Sequence, residues 1–425
     1  MRSNLKSNGN LLSNFIIIGS IFSLFFVGAC TSLIPGNYVH VNETSLENNE
    51  IDLIRDVKEL LVGEEYKDVD RAIELLNEAI YKGQALDLAF FYRGLAWYQK
   101  GEFHKAVVDY KKAIQLNNSI CNAYNNLGLA LLKTSSIPEA IENFNKAIES
   151  CPLDAKYYSN RGYAWTCLKH TDRALNDFEK ALSINDKFVF AYANRASLWE
   201  ELGEYKKAII DYERAISINP SDENLYSDLG VVYSKIPEFD LAVKNYNKAL
   251  LISPNDPKIL NNRGAAYLEQ GLYEKALVDL KRATKLNPDQ VIAYINLGRI
   301  YAKMGEYKKA INEYDNVLSK DSNSIAAYKY RGIAYYLLGD LDVAMMDFNS
   351  VASIDENDSF AYYNLACIYS LKKNSEMAIK NLRKALTKGY DNIENINNDK
   401  DLNYVRETPE FIELVHEFRK SGETK

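Results

Sequence analysis

From residue 94 onward a small residue returns every 34 positions: Gly94, Gly128, Gly162, Ala196, Gly230, Gly264, Gly298, Gly332 and Ala366. Twelve residues after each stands an alanine, from Ala106 to Ala378. Seven residues further the series runs from Ala113 to Ala385, with Val317 and Val351 as its exceptions. Nine copies without an insertion or deletion mean one small unit stacked repeatedly, each burying its apolar face on the next. Within a copy the pattern reads as a pair of helices. Small residues stand where two helices cross closely, since a larger side chain would push the axes apart.

Large residues fill the remaining layers. We number each copy from the seventh residue before its Gly or Ala. Position 4 then holds Phe90, Tyr124, Tyr158, Tyr192, Tyr226, Leu260, Tyr294, Tyr328 and Tyr362. Position 11 holds Trp97, Leu131, Trp165, Trp199, Tyr233, Tyr267, Tyr301, Tyr335 and Tyr369. Position 24 holds Tyr110, Phe144, Phe178, Tyr212, Tyr246, Leu280, Tyr314, Phe348 and Leu382. With Tyr205, Tyr273 and Tyr307 at position 17, these places take 19 of the 31 tyrosines, so most of the aromatic excess reads as core. Pro152, Pro220, Pro254 and Pro288 recur between copies, where proline ends a helix. Gly101, Gly203, Gly271, Gly305 and Gly339 recur between the two helices of a copy.

Composition closes off several classes. The chain is 47% hydrophobic and 26% charged, with 9 prolines, which excludes a disordered or collagen-like polymer. A net charge of -7 lacks the basic footprint of a nucleic-acid binder. Four histidines and five cysteines are scattered, so neither a metal nor a cofactor is expected. No glycine-rich phosphate loop follows a strand pattern, and the repeats leave no room for a catalytic domain. The chain reads as a non-enzyme.

The period and pattern resemble the tetratricopeptide repeat family over nearly all of residues 51–392. A clear copy is AYANRASLWEELGEYKKAIIDYERAISINP, ending at Pro220. The resemblance implies an all-α, right-handed superhelical solenoid of about ten 34-residue helix-turn-helix repeats. They start near 53, 87, 121, 155, 189, 223, 257, 291, 325 and 359, the first being a degenerate copy with Ala72, Leu76 and Ala79 in phase. Beyond residue 392, Phe411, Leu414, Val415 and Phe418 fall on one helix face, so 393–425 looks like the cap of the array.

In that family the first helix of each repeat lines a concave face that binds partner proteins. Position 6 there reads Asn126, Asn160, Asn194, Asp228, Asn262, Asn296 and Asn364, preceded by Tyr92 and interrupted before Asn364 by Tyr330. An amide offers donors and an acceptor to any peptide backbone. The row resembles the asparagine ladder in the repeat domain of O-linked N-acetylglucosamine transferases; it equally fits an ordinary polar surface. Phe91, Tyr92, Tyr98 and Tyr163 form an aromatic patch that reads either as partner anchors or as a face covered by the degenerate first repeat. A second patch, Tyr330, Ile333, Tyr336, Leu337, Phe360 and Tyr363, is expected to be capped by the carboxy-terminal segment. Arg93, Arg161, Arg195, Arg263 and Arg331 at position 7 either hold acidic partner groups or pair with a nearby carboxylate over a packed stem. The Lys-and-Asn pairing of the family's chaperone-tail clamp is missing.

The amino terminus carries Arg2, Lys6, an apolar run over Leu11–Val27, and then Gly28-Ala29-Cys30. A basic start, an apolar stretch and small residues before a cut site describe an export signal. Its end resembles a bacterial lipobox. That resemblance implies a signal peptide over 1–29, lipid on Cys30 and a tether over 30–50. The protein would then sit in the bacterial envelope, outside the cytoplasmic membrane. An uncleaved anchor is the alternative, since the run is almost long enough to span a bilayer. Cys121 opens a first helix and Cys151 closes its partner; antiparallel packing brings those ends together, and an exported compartment permits a disulfide. The bland reading is small apolar filler. The sequence thus describes a lipid-anchored, non-enzymatic scaffold holding an extended peptide or protein. Its alternative is an accessory subunit of an envelope transporter or cell-wall enzyme.

Overall fold

The computed structural model describes residues 48–62 and 68–423. The export signal and Cys30 lie outside the described residues. Two compact units divide between Val232 and Tyr233. In the first, helices Asn48–Val62 and Val69–Lys82 precede four pairs: Leu86–Gln99 with Phe103–Leu116, Cys121–Lys133 with Ile137–Ser150, Ala155–Cys167 with Thr171–Ile184, and Val189–Glu201 with Tyr205–Ile218. Helix Glu223–Lys235 carries the division. In the second unit Phe239–Ile252 precedes Pro257–Glu269 with Tyr273–Leu286, Val291–Lys303 with Tyr307–Lys320, Ile325–Leu338 with Leu341–Ile354, and Ser359–Leu371 with Ser375–Thr387. Short helices Ile393–Asn398 and Asn403–Arg406 and helix Pro409–Glu423 follow. No strand occurs among the described residues, and none of their helices is long and apolar enough to cross a membrane. The first helix begins at Asn48, inside the segment read as tether.

Glycines of the first helices lie against the position 24 side chain of the partner helix, a ring for Gly94, Gly128, Gly162, Gly298 and Gly332 and Leu280 for Gly264. A Cβ on Gly128 would stand 2.6 Å from Phe144, and one on Gly298 2.4 Å from Tyr314. Glycine inside a helix costs about 1 kcal/mol relative to alanine. Here that cost is offset by rings that are 0% exposed: Tyr110, Phe144, Phe178, Tyr314 and Phe348. Turns inside a repeat need a left-handed residue. Gly203 has φ +76°, while Ser135 and Lys169 hold the equivalent place at φ +62° and +61°. Side-chain caps start several first helices: Asp256 accepts from the N–H groups of Lys258 and Ile259, and Asp358 from that of Ala361.

The three aromatic sets differ in burial. Position 24 is core throughout, whereas most position 4 and position 11 rings are half-buried. Where position 19 is basic, its cation lies over the position 11 ring, with Lys105 4.5 Å from the Trp97 ring centre, Arg173 4.7 Å from Trp165 and Lys207 4.4 Å from Trp199.

Every position 7 arginine pairs with the aspartate sixteen residues on. Arg161 donates from Nε and Nη2 to Asp177 at 2.8 and 2.6 Å. Arg93–Asp109, Arg195–Asp211, Arg263–Asp279 and Arg331–Asp347 repeat this two-point contact. The third nitrogen reaches the preceding repeat: Arg93 to Asn77, Arg161 to Asn145, Arg263 to Asn247 and Arg331 to Asp315. The aspartates are nearly buried. Where position 7 is Leu127 or Leu365, the aspartate is replaced by Asn143 or Asn381, whose amide donates to the carbonyl four residues back. Leucine therefore never leaves a buried carboxylate behind in those repeats. Arg161→Leu should cost about 3 kcal/mol, because Asp177 loses its partner while buried. Arg161→Leu with Asp177→Asn should recover most of that. Denaturant unfolding of the two variants checks it; a double variant no more stable than the single one would refute the account.

Candidate partner-binding face

The face to consider is formed by the first helices, which touch one another in succession within each unit. Its floor is the position 6 row. Asn126, Asn160, Asn194, Asp228, Asn262, Asn296 and Asn364 are each at most 6% exposed. Three of their amides bond across repeats, and the other three take part in bonds within their own helix. Asn160 donates to Asn125 at 2.7 Å, and Asn125 to Asn126 at 3.1 Å. Asn296 donates to Asn261 at 3.0 Å, and Asn261 to Asn262 at 3.1 Å. Asn194 reaches Ser159 at 3.4 Å, and Asn364 bonds the Phe360 carbonyl within its own helix. Buried amides are generally hydrogen-bonded, and the preceding repeat supplies that partner for Asn160, Asn194 and Asn296. Asp228 takes the same place with a carboxyl group, which burial, then Glu200 and Asp222, push well above the ordinary range.

Phe91 and Tyr92 are 0% exposed. They belong to one core with Ile54, Val57 and Leu61 of the helix Asn48–Val62, and Gln99 donates to the Leu61 carbonyl at 3.0 Å. That amphipathic helix is the part of the degenerate repeat that closes over the patch. Tyr98 stays half-buried beside Phe103, its hydroxyl pushed up to about 12 by burial. Tyr163 is half-buried too. Cys121 and Cys151 are joined as a disulfide in this structure, with Cα atoms 6.2 Å apart.

At the far end of the second unit the carboxy-terminal segment lies on first-helix residues. Tyr336 donates to Asp401 Oδ2 at 2.5 Å, and the Tyr363 hydroxyl donates to Asp399 Oδ2. Tyr363 stacks on Tyr390 at 4.2 Å. Leu402, Val405, Phe411 and Leu414 share its core with Leu365 and Ile368. Burial and the adjacent carboxylates push both tyrosine hydroxyls far up. Cys367, Asp399 and Asp401 bring potential ligand atoms within 4.8 Å of one another, a convergence that sequence spacing did not signal. The two carboxylates accept tyrosine protons there.

Between these ends the second unit holds a charged group missed from sequence. Arg299 donates to Glu269 Oε1 at 2.8 Å and to Asn296 Oδ1 at 3.2 Å, with the Tyr330 ring 5.9 Å away. Lys303 follows one turn later, half-buried. Arginine stands at that place in no other copy, and the lysine recurs only as Lys133 and Lys235, so no repeating pattern marked the pair.

Comparison with known proteins follows the same lines. Family models described as TPR repeat match residues 94–135, 201–236, 238–271, 266–305 and 298–339, and one described as tetratricopeptide repeat matches 122–152 and 361–387. Together they span more than half of the chain. Among solved structures, the APC/C hetero-tetramer Cut9–Hcn1 is similar at 17% identity and TM-score 0.52, over 79% of this chain and 64% of that one. The chain thus spans just under two thirds of that relative's length, and the likeness is one of fold. YrrB, a TPR protein with an unusual peptide-binding site, is 26% identical over 44% of this chain and 96% of its own, with TM-score 0.38. PilF of Pseudomonas aeruginosa is 20% identical over 55% of this chain and 98% of its own, with TM-score 0.43. No curated protein matches in sequence.

Two outcomes follow from this geometry. Peptide mapping without reductant should recover Cys121 and Cys151 in one crosslinked fragment, and reduction should lower stability by about 2–4 kcal/mol. Free thiol at Cys121 in protein purified from its native host would contradict it. Ending the chain at residue 392 should expose Tyr336, Tyr363 and Ile368, raising dye binding and aggregation; an equally soluble truncated chain would show that the segment is no cap.

Proposed function

Because the chain belongs to the tetratricopeptide repeat family, we propose that it is a non-enzymatic scaffold that binds a protein partner on its first-helix face. One observation carries the reading. After the amide floor and the covered ends are accounted for, Tyr98, Leu132, Tyr163 and Phe190 remain partly exposed on that face of the first unit. Aromatic side chains with few rotatable bonds, set on rigid helices, are effective anchors. Asn126, Asn160, Asn194 and Asp228 form a buried polar row in the same first helices, and Asn262, Asn296 and Asn364 form the corresponding row within the second unit. An extended segment fits such a face, its apolar side chains meeting the rings.

The scaffold is tethered to the bacterial envelope through lipid on Cys30. Val27-Gly28-Ala29-Cys30 supports this reading, as does the oxidised Cys121–Cys151 pair, which fits an exported compartment. Two or more acyl chains hold a protein stably at a membrane. Residues 31–47 would give the array a reach of at most about 60 Å from its anchor.

Crosslinking in the native host followed by mass spectrometry tests partner binding. Tyr163→Ala combined with Phe190→Ala should cut recovery of the crosslinked partner about tenfold; undiminished recovery would remove this face from consideration. The mature protein should begin at an acylated Cys30. Mass spectrometry that finds Met1 intact would overturn the lipid anchor.

A further inference from the structure

Arg299 and Lys303 lie one helical turn apart on the first-helix face of the second unit, where residues four apart are neighbours. Glu269 is the carboxylate that acts on both cations. Two half-buried positive charges therefore share one negative charge, in a chain whose overall charge is -7. Lys303 feels the imbalance: burial, and then Arg299, push its amine below the ordinary value. Removing a cation from water is costly unless a counter-charge is supplied, and a carboxylate held by ammonium and guanidinium together makes strong, short hydrogen bonds. Tyr330 lines the place, lying over Tyr314 at 5.9 Å with an interplanar angle of 19°. The Tyr314 hydroxyl beneath is fully buried and has no hydrogen-bond partner among the described residues.

The same unit shows what its first helices accept. Tyr336 and Tyr363 donate to Asp401 and Asp399, and Leu402 between those contacts and the core is 0% exposed. The protein's own acidic segment, two aspartates two residues apart followed by a leucine, thus already occupies the last two repeats. We propose that the face at Arg299, Lys303 and Tyr330 receives an acidic segment of a partner protein, with an Asp or Glu side chain seated at the two cations. This rests on the scaffold reading above and narrows the partner's chemistry.

The probe is a fluorescent peptide copying residues 396–405, blocked at both ends so that it carries no terminal carboxylate. Anisotropy with the full chain should show binding that weakens as salt rises. Replacing both peptide aspartates by asparagine should weaken it about tenfold, and Lys303→Glu should do the same. Tyr336→Phe should leave it unchanged. Circular dichroism confirms folding of each variant, and Lys303→Gln replaces the charge reversal if that one unfolds. Equal binding of acidic and amide peptides would overturn the proposal. So would no binding, or binding that answers to Tyr336→Phe and ignores Lys303, which would mean the peptide merely displaces the protein's own segment. A partner recovered by crosslinking whose capture ignores Lys303→Glu would sink this inference and leave the scaffold reading standing.

Discussion

An aromatic or leucine side chain lying directly on a residue with almost no side chain is the contact on which the rest depends. At Gly94, Gly128, Gly162, Gly264, Gly298 and Gly332 a Cβ would meet the position 24 side chain at 2.4–3.1 Å. That proximity fixes the separation of the two helices. A fixed separation makes successive repeats superimposable, so one set of side-chain lengths serves every copy. The arginine bridges presuppose it, because a guanidinium can span from its own aspartate to the preceding repeat only if both stand at constant distance. So do the amide bonds from one repeat to the next. Native packing tolerates little slack at such contacts.

Much of the fold was legible because it is written nine times over. Gly94 through Ala366 gave the helix crossings, and the recurring Gly101 and its equivalents gave the turns. The aromatic sets were less legible. A tyrosine at helical spacing has the same pattern whether fully covered, like Tyr314, or half-covered, like Tyr335, since a phenol tolerates both. The asparagine row was visible, but its occupation was not: burial of Asn160 depends on Asn125 of the preceding repeat, a contact between elements that no single-repeat pattern announces. One signal was present and passed over. Arginine at position 7 always comes with aspartate at position 23, and leucine never does. Arg299 is illegible for the opposite reason, being a single departure from the repeat, and only its presence one turn before Lys303 makes the pair.

The chain spends its charges unevenly. Most position 7 and position 19 cations are committed to neighbouring carboxylates or rings. Their role is to hold surfaces together, and they contribute little to long-range attraction. What distinguishes one stretch of the first-helix face from another is therefore a small remainder: rings in the first unit, and a local excess of positive charge in the second.

The helix Asn48–Val62 at one end and the segment 393–418 at the other have a bearing on assembly. A stacked unit presents, at its open end, the surface that its own next copy would fill. Two such ends are complementary yet unrelated by a twofold axis, so the contact does not close and chains would add without limit into fibres. Ile54, Val57 and Leu61 over Phe91 and Tyr92, and Leu402 and Phe411 against the last repeat, occupy those growing ends with sequence that has no successor. They set the length of the array as a stop codon sets the length of a message, and withhold from other chains the surfaces on which a further repeat would stack.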